Sequence, residues 1–128
     1  MEQMAKAAKG IHRQPGLVDL TVNNGDGLQL VKKTDVVSVD FSLEAGAKAG
    51  MKADWWVICQ GPKGWSSWNG KKWKAGLRPW RKGVALADVP KQNVLNAKLK
   101  PGYYTYWVSI APTDGSMNFD GVLVYVTR

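Results

Sequence analysis

Residues 35–43 read DVVSVDFSL. Val37, Val39, Phe41 and Leu43 fall on one side of an extended chain, while Val36, Ser38, Asp40 and Ser42 fall on the other. A period of two with one mostly apolar side is the pattern of a strand that packs one face on a core and wets the other. The segment therefore points to antiparallel sheet structure.

Working outward, the same kind of segment recurs at short intervals. LVDLTV (17–22) runs into Asn23-Asn24-Gly25-Asp26-Gly27, a turn signal because Asn, Asp and Gly tolerate positive φ. A short strand, LQLVKK, follows. The small-residue loop at 44–53 delivers the chain to DWWVICQ (54–60), where Trp56 and Ile58 share one face and Trp55, Val57 and Cys59 the other. Two apolar faces suggest a central strand covered on both sides. The turn Gly61-Pro62-Lys63-Gly64 sends GWSSWNG back as a hairpin partner, and Asn69-Gly70 turns it again into KKWK. Further on, GVALADV (83–89) and a short segment around Val94-Leu95 lead to LKPGYYTYWVSI, in which Tyr104, Tyr106, Val108 and Ile110 alternate with more polar neighbours. APTDGSMN (111–118) reads as a hairpin loop, and FDGVLVYVTR closes the chain with Val122, Val124 and Val126 on one side. Seven or eight short strands at this spacing predict an all-β fold, an antiparallel immunoglobulin-like β-sandwich. Leu99, Pro101, Gly102 and Tyr104 suit a corner at a sheet edge.

Residues 1–16 differ in kind. MEQMAKAAKG favours helix but is short for one standing alone, and IHRQPG breaks it with Pro15 and Gly16. The division expected is an N-terminal arm over 1–16 and a sandwich over 17–128. A length of 128 residues suits one domain with its own core. No apolar run approaches the ~20 residues of a membrane span, and no apolar stretch of the signal-peptide kind stands behind the first lysines.

Net charge is +8, and its distribution is uneven. In GWSSWNGKKWKAGLRPWRKG (64–83), Trp65, Trp68, Trp73 and Trp80 are interleaved with Lys71, Lys72, Lys74, Arg78, Arg81 and Lys82, and no acid lies between Asp54 and Asp88. Three readings compete for these ten residues. The rings fill one end of the sandwich while lysine and arginine stems cover them. Alternatively they form a protein interface, for which Trp and Arg are the enriched types. Or they make a platform for a carbohydrate, an anionic polysaccharide or single-stranded nucleic acid, through stacking plus charge.

Catalysis and metal binding find little support. His12, the single histidine, lies in the arm, and one histidine with one cysteine cannot build a zinc site. Asp54, Asp88, Asp114 and Asp120 sit where aspartate serves turns and strand ends. No glycine loop has the strand and helix needed to cradle phosphate. Cys59, on an apolar strand, reads as an inert buried thiol. The expectation is a protein that is not an enzyme and that needs no metal or other cofactor.

Leu43–Gly46 (LEAG), Ala53–Val57 (ADWWV), Gly64-Trp65, Val94–Asn96 (VLN) and the LKPGYYTY run over 99–106 carry a resemblance covering residues 17–128. The order is similar to that of a small β-sandwich module of exported bacterial surface proteins, also seen as the separate globular subunit of two-chain type IV pilins. The resemblance implies an extracellular or cell-surface location and a structural or assembly role in a surface filament or pilus. Its partners would be other copies of the chain or a pilin-like chain. A carbohydrate- or polyanion-binding module is the alternative. The hairpin at 113–118 is shorter than the family's Asp/Asn-rich version, so no calcium site carries over, and the cations among the tryptophans are this chain's own addition.

Overall fold

The computed structural model describes residues 18–128. The arm expected over 1–16, with His12, lies outside the described residues, as does Leu17. The strands are β1 (Val18–Val22), β2 (Gln29–Lys32), β3 (Val36–Leu43), β4 (Lys52–Gly61), β5 (Gly64–Trp68), β6 (Trp73–Ala75), β7 (Arg81–Ala85), β8 (Val89–Lys98), β9 (Gly102–Pro112) and β10 (Asn118–Thr127). Among the described residues no helix is long and apolar enough to cross a membrane.

The strands form two sheets. One is β1-β3-β8, and the other runs β2-β10-β9-β4-β5-β6, with β7 pairing β4 beyond the reach of β5. The chain passes between sheets from β3 to β4 and from β8 to β9, which is the strand order of an immunoglobulin-like sandwich with extra strands outside β4. The described residues form ten strands, against seven or eight expected. Asn23 and Asn24, both at positive φ, turn the chain after β1, and β2 joins the opposite sheet. There β2 runs parallel to β10, the exception in an otherwise antiparallel pattern.

The core lies between the inner faces, and it is built from the alternating residues. Val37, Val39, Phe41 and Leu43 are buried from β3, as are Trp55, Val57 and Cys59 from β4 and Tyr106, Val108 and Ile110 from β9. Val122, Val124 and Val126 close it from β10. Burying each such aliphatic side chain contributes about 1.5–3 kcal/mol. Asp40, on the side of β3 expected to face water, is nevertheless 7% exposed. A break in the β3–β8 register at Val39/Asp40 brings Asn93 Nδ2 to 2.9 Å from its carboxylate, with Lys91 Nζ at 3.9 Å. The strand β4 is central, as its composition suggests, but its outer face is not covered: Trp56 and Ile58 remain half-buried.

Four aspartates act as hydrogen-bond acceptors that tie strands and turns together. Asp54 accepts from Gly83 N and Asp88 from Ala45 N, while Asp120 accepts from Leu20 N across the two sheets at 2.8 Å. Asp114 accepts from Lys48 Nζ at 2.7 Å and from Ser116, and these donors hold its carboxyl below the usual carboxylate range. At the β8–β9 connection the Tyr104 hydroxyl donates to Lys100 O at 2.8 Å, closing the corner. Gly102 has φ +140°, and a Cβ there would sit 2.7 Å from Pro62, so the corner packs directly on the β4–β5 turn. Tyr104→Phe should destabilise the fold by about 1 kcal/mol through loss of this bond. A urea midpoint unchanged in the variant would show that the hydroxyl contributes nothing to the corner.

Candidate functional site

The basic tryptophan segment forms the β5–β6 hairpin and the approach to β7. Asn69 Oδ1 accepts from both Lys71 N and Lys72 N at 2.9 Å, and Gly70 takes φ +100°, so the hairpin turns tightly. Trp68 and Trp73 face each other across it. From here the four rings separate into two groups.

Trp68 and Trp80 belong to the core end. Trp68 is buried, and its ring lies 4.9 Å from that of Trp80. Trp80 in turn meets Trp55 edge-on at 5.7 Å and Phe41 at 5.8 Å. Arg81 covers this cluster from outside, its guanidinium 4.2 Å from the Trp80 ring centroid and 5.2 Å from that of Trp55. Here ring and cation stand together because an exposed guanidinium lies over the rings at the edge of the core. Lys71, Lys72, Arg78 and Lys82 are exposed beyond this end.

Trp65 and Trp73 line a groove instead. It has a volume of about 570 Å³ and opens between the β5–β6 hairpin and the β8–β9 corner. Trp73 is fixed by its indole N–H, which donates to Val94 O at 2.7 Å, and it meets Tyr106 edge-on at 5.7 Å. Trp65, 38% exposed, stacks on Trp107 at 5.4 Å. Among the described residues four lysines line the groove, Lys63, Lys74, Lys98 and Lys100, and no carboxylate does. A neighbouring hollow of about 390 Å³ shares residues 98–101 and adds Lys33. The buried Cys59 and Tyr106 also line the main groove. Burial pushes the Cys59 thiol up to about 11, against a smaller lowering by the Tyr106 hydrogen bond, and burial raises the Tyr106 phenol as well. Such a thiol is a poor nucleophile near neutral pH.

Of the ten residues singled out in sequence, Trp65, Trp73 and Lys74 reach the groove. Lys63, Lys98, Lys100 and Tyr104 were not among them. A signal for the lysines exists in the chain: residues 89–113 hold Lys91, Lys98 and Lys100 without a single acid, as the tryptophan segment does upstream.

A second surface was not foreseen. On the outer face of the large sheet, Tyr103 and Tyr125 pair across β9 and β10 with rings stacked at 4.5 Å, and Leu30 lies opposite Tyr125 on β2. Phe119 is 64% exposed and Leu123 40%. Trp107 spans the face, lying over Gly121, where a Cβ would come within 2.6 Å of its ring, and against Trp65 on its other side. The outward positions of β9 and β10, and of β4 from Trp56 to Gln60, carry no charged side chain. No protein-family model matches the chain, and no curated protein matches it.

Proposed function

We propose that the protein is a non-catalytic assembly subunit that associates with a second copy, or with a pilin-like partner, through the outer face of its large sheet, as part of an extracellular surface filament. What supports the reading is the exposed aromatic patch on β9 and β10, whose outward positions carry no charged side chain, while Lys32 and Lys74 lie at its margins. A chain of net charge +8 repels its own copies over most of its surface. Contact is favourable where apolar rings meet and no like charges are brought together. The sequence resemblance supports the filament and the extracellular setting. A two-fold contact closes at a dimer, so a fibre also needs a head-to-tail contact, for which residues 1–16 are the candidate.

Sedimentation and negative-stain microscopy test this. Phe119→Lys with Leu123→Lys should weaken self-association about 30-fold, the effect of losing one hot-spot contact of roughly 2 kcal/mol. The far-UV spectrum should remain that of the wild type. Association of the wild type should strengthen as salt is added, because salt screens the repulsion between copies and leaves the apolar contact in place. A wild-type chain that stays monomeric at high concentration and forms no filaments with or without partner would refute the proposal. Deleting residues 1–16 should stop growth beyond the dimer, and unimpaired growth would remove the arm from the reading.

A further inference from the structure

We propose that the basic groove between the β5–β6 hairpin and the β8–β9 corner binds a linear acidic polysaccharide whose sugar rings carry uronate carboxylates. Trp65 borders both this groove and, through its stack on Trp107, the assembly face, so the site is tested through Lys98 and Lys100, which lie outside that face. Charge complementarity is the first ground. Among the described residues Lys63, Lys74, Lys98 and Lys100 line the groove without a carboxylate, and none of the four is ion-paired. Four lysines bordering one groove give it a positive potential that attracts anions.

The second ground is what the rings offer. Two polar tips are already engaged: Trp73 donates to Val94 O and Tyr104 to Lys100 O. Ring carbon is therefore what Trp73 and Tyr104 present beside the exposed Trp65, a surface for the C–H face of a pyranose. Among the described residues the lining has no carboxylate and no side-chain amide, the acceptors that would take hydroxyl protons from a neutral sugar. Recognition rests on ring stacking plus ammonium–carboxylate pairs, which selects a charged sugar over a neutral one.

Length and ring exposure complete the identification. Residues 98–101 border both the groove and the adjoining hollow with Lys33, so the cations follow a path that one sugar would not fill. Single-stranded nucleic acid needs an aromatic platform for successive bases. Here Trp65 is the well-exposed ring, Trp73 and Tyr104 are half-buried, and Tyr106 is buried. Both polymers carry one charge per unit, so the choice rests on the rings: a polyuronate needs no run of exposed faces for successive bases.

Titration of the full chain with a polygalacturonate oligosaccharide, followed by calorimetry, decides the matter, with oligo-dT of equal charge number as the competitor. Binding should weaken as salt is added. Lys98→Glu with Lys100→Glu should weaken it at least ~10-fold, whereas Arg78→Glu with Lys82→Glu, the same charge change outside the groove, should cost less than ~3-fold. Trp65→Ala, a change without charge, should weaken binding about 5-fold and leave the salt dependence intact. Each variant is checked by thermal unfolding. Equal losses from the two charge-reversed pairs would reduce the effect to diffuse attraction and overturn the site. Tighter binding of oligo-dT would overturn the ligand class, and absence of uronate binding by the wild type would overturn the proposal outright.

Discussion

Trp55→Ala is expected to cost about 3–5 kcal/mol of folding stability, the range for truncating a buried large aromatic. Trp55 is 1% exposed at the middle of the core. Its ring takes the edge of Trp80 at 5.7 Å, its indole N–H reaches Val84 O at 3.3 Å, and its backbone carbonyl accepts from Trp80 N at 2.7 Å. Removing the ring leaves a void bordered by Trp80, and Arg81 loses one of the two rings beneath it. Against a total of roughly 5–15 kcal/mol for a domain, the loss is a large share. Melting should fall by roughly 10–20 °C. The neighbouring Trp56→Ala is the control, because Trp56 points outward and is half-buried. It should cost well under half as much. If the two substitutions cost the same, the assignment of inner and outer faces on β4 is wrong.

Raising the pH from 9 to 11 should remove about 2 kcal/mol of stability through Cys59 alone. The thiol ordinarily titrates at 9.0 and burial holds it up to about 11 in the fold. Below pH 9 folded and unfolded chains both keep the proton, and the contribution is fully present. Between the two values the unfolded chain releases its proton first, so stability falls as pH rises through the folded value. The Tyr106 phenol, raised from 10.0 chiefly by burial, pulls in the same direction above pH 10. Urea unfolding measured from pH 8 to 11 gives the slope. Cys59→Ala should flatten it in the lower part of the range, leaving the part due to Tyr106. An unchanged slope in that variant would mean that the thiol is not the group being titrated.

The strands with one apolar side were legible because alternation is a local property, as in Val37, Val39, Phe41 and Leu43. The ten-residue β8 was reduced in sequence to the surroundings of Val94-Leu95, since its polar stretch Pro90–Asn93 lies mostly exposed at the sheet edge and shows no apolar period. The parallel pairing of β2 with β10 had no local signature at all, because it joins residues about a hundred positions apart. The same distance effect governs the sites. Trp68 and Trp65 look alike in sequence, three residues apart, yet one is buried beside Trp80 and the other lines the groove against Trp107. Which of them faces outward depends on the β4–β5 register, Gln60 opposite Trp65 and Ile58 opposite Ser67. Lys98 and Lys100 became groove residues because the corner folds them toward a hairpin some thirty positions earlier.

The pairing of β2 with β10 also bears on how the fold would carry tension. The strands run side by side in the same direction over Gln29–Lys32 and Val124–Thr127. Pulling the chain from before β2 and from after β10 draws the two strands past each other along their length. Four residue pairs then bear the load together in shear, instead of parting one at a time like a zipper. A single-molecule pulling experiment on the folded chain should accordingly meet one abrupt yield point, and Val31→Pro, which deletes a donor in the middle of β2, should lower it sharply.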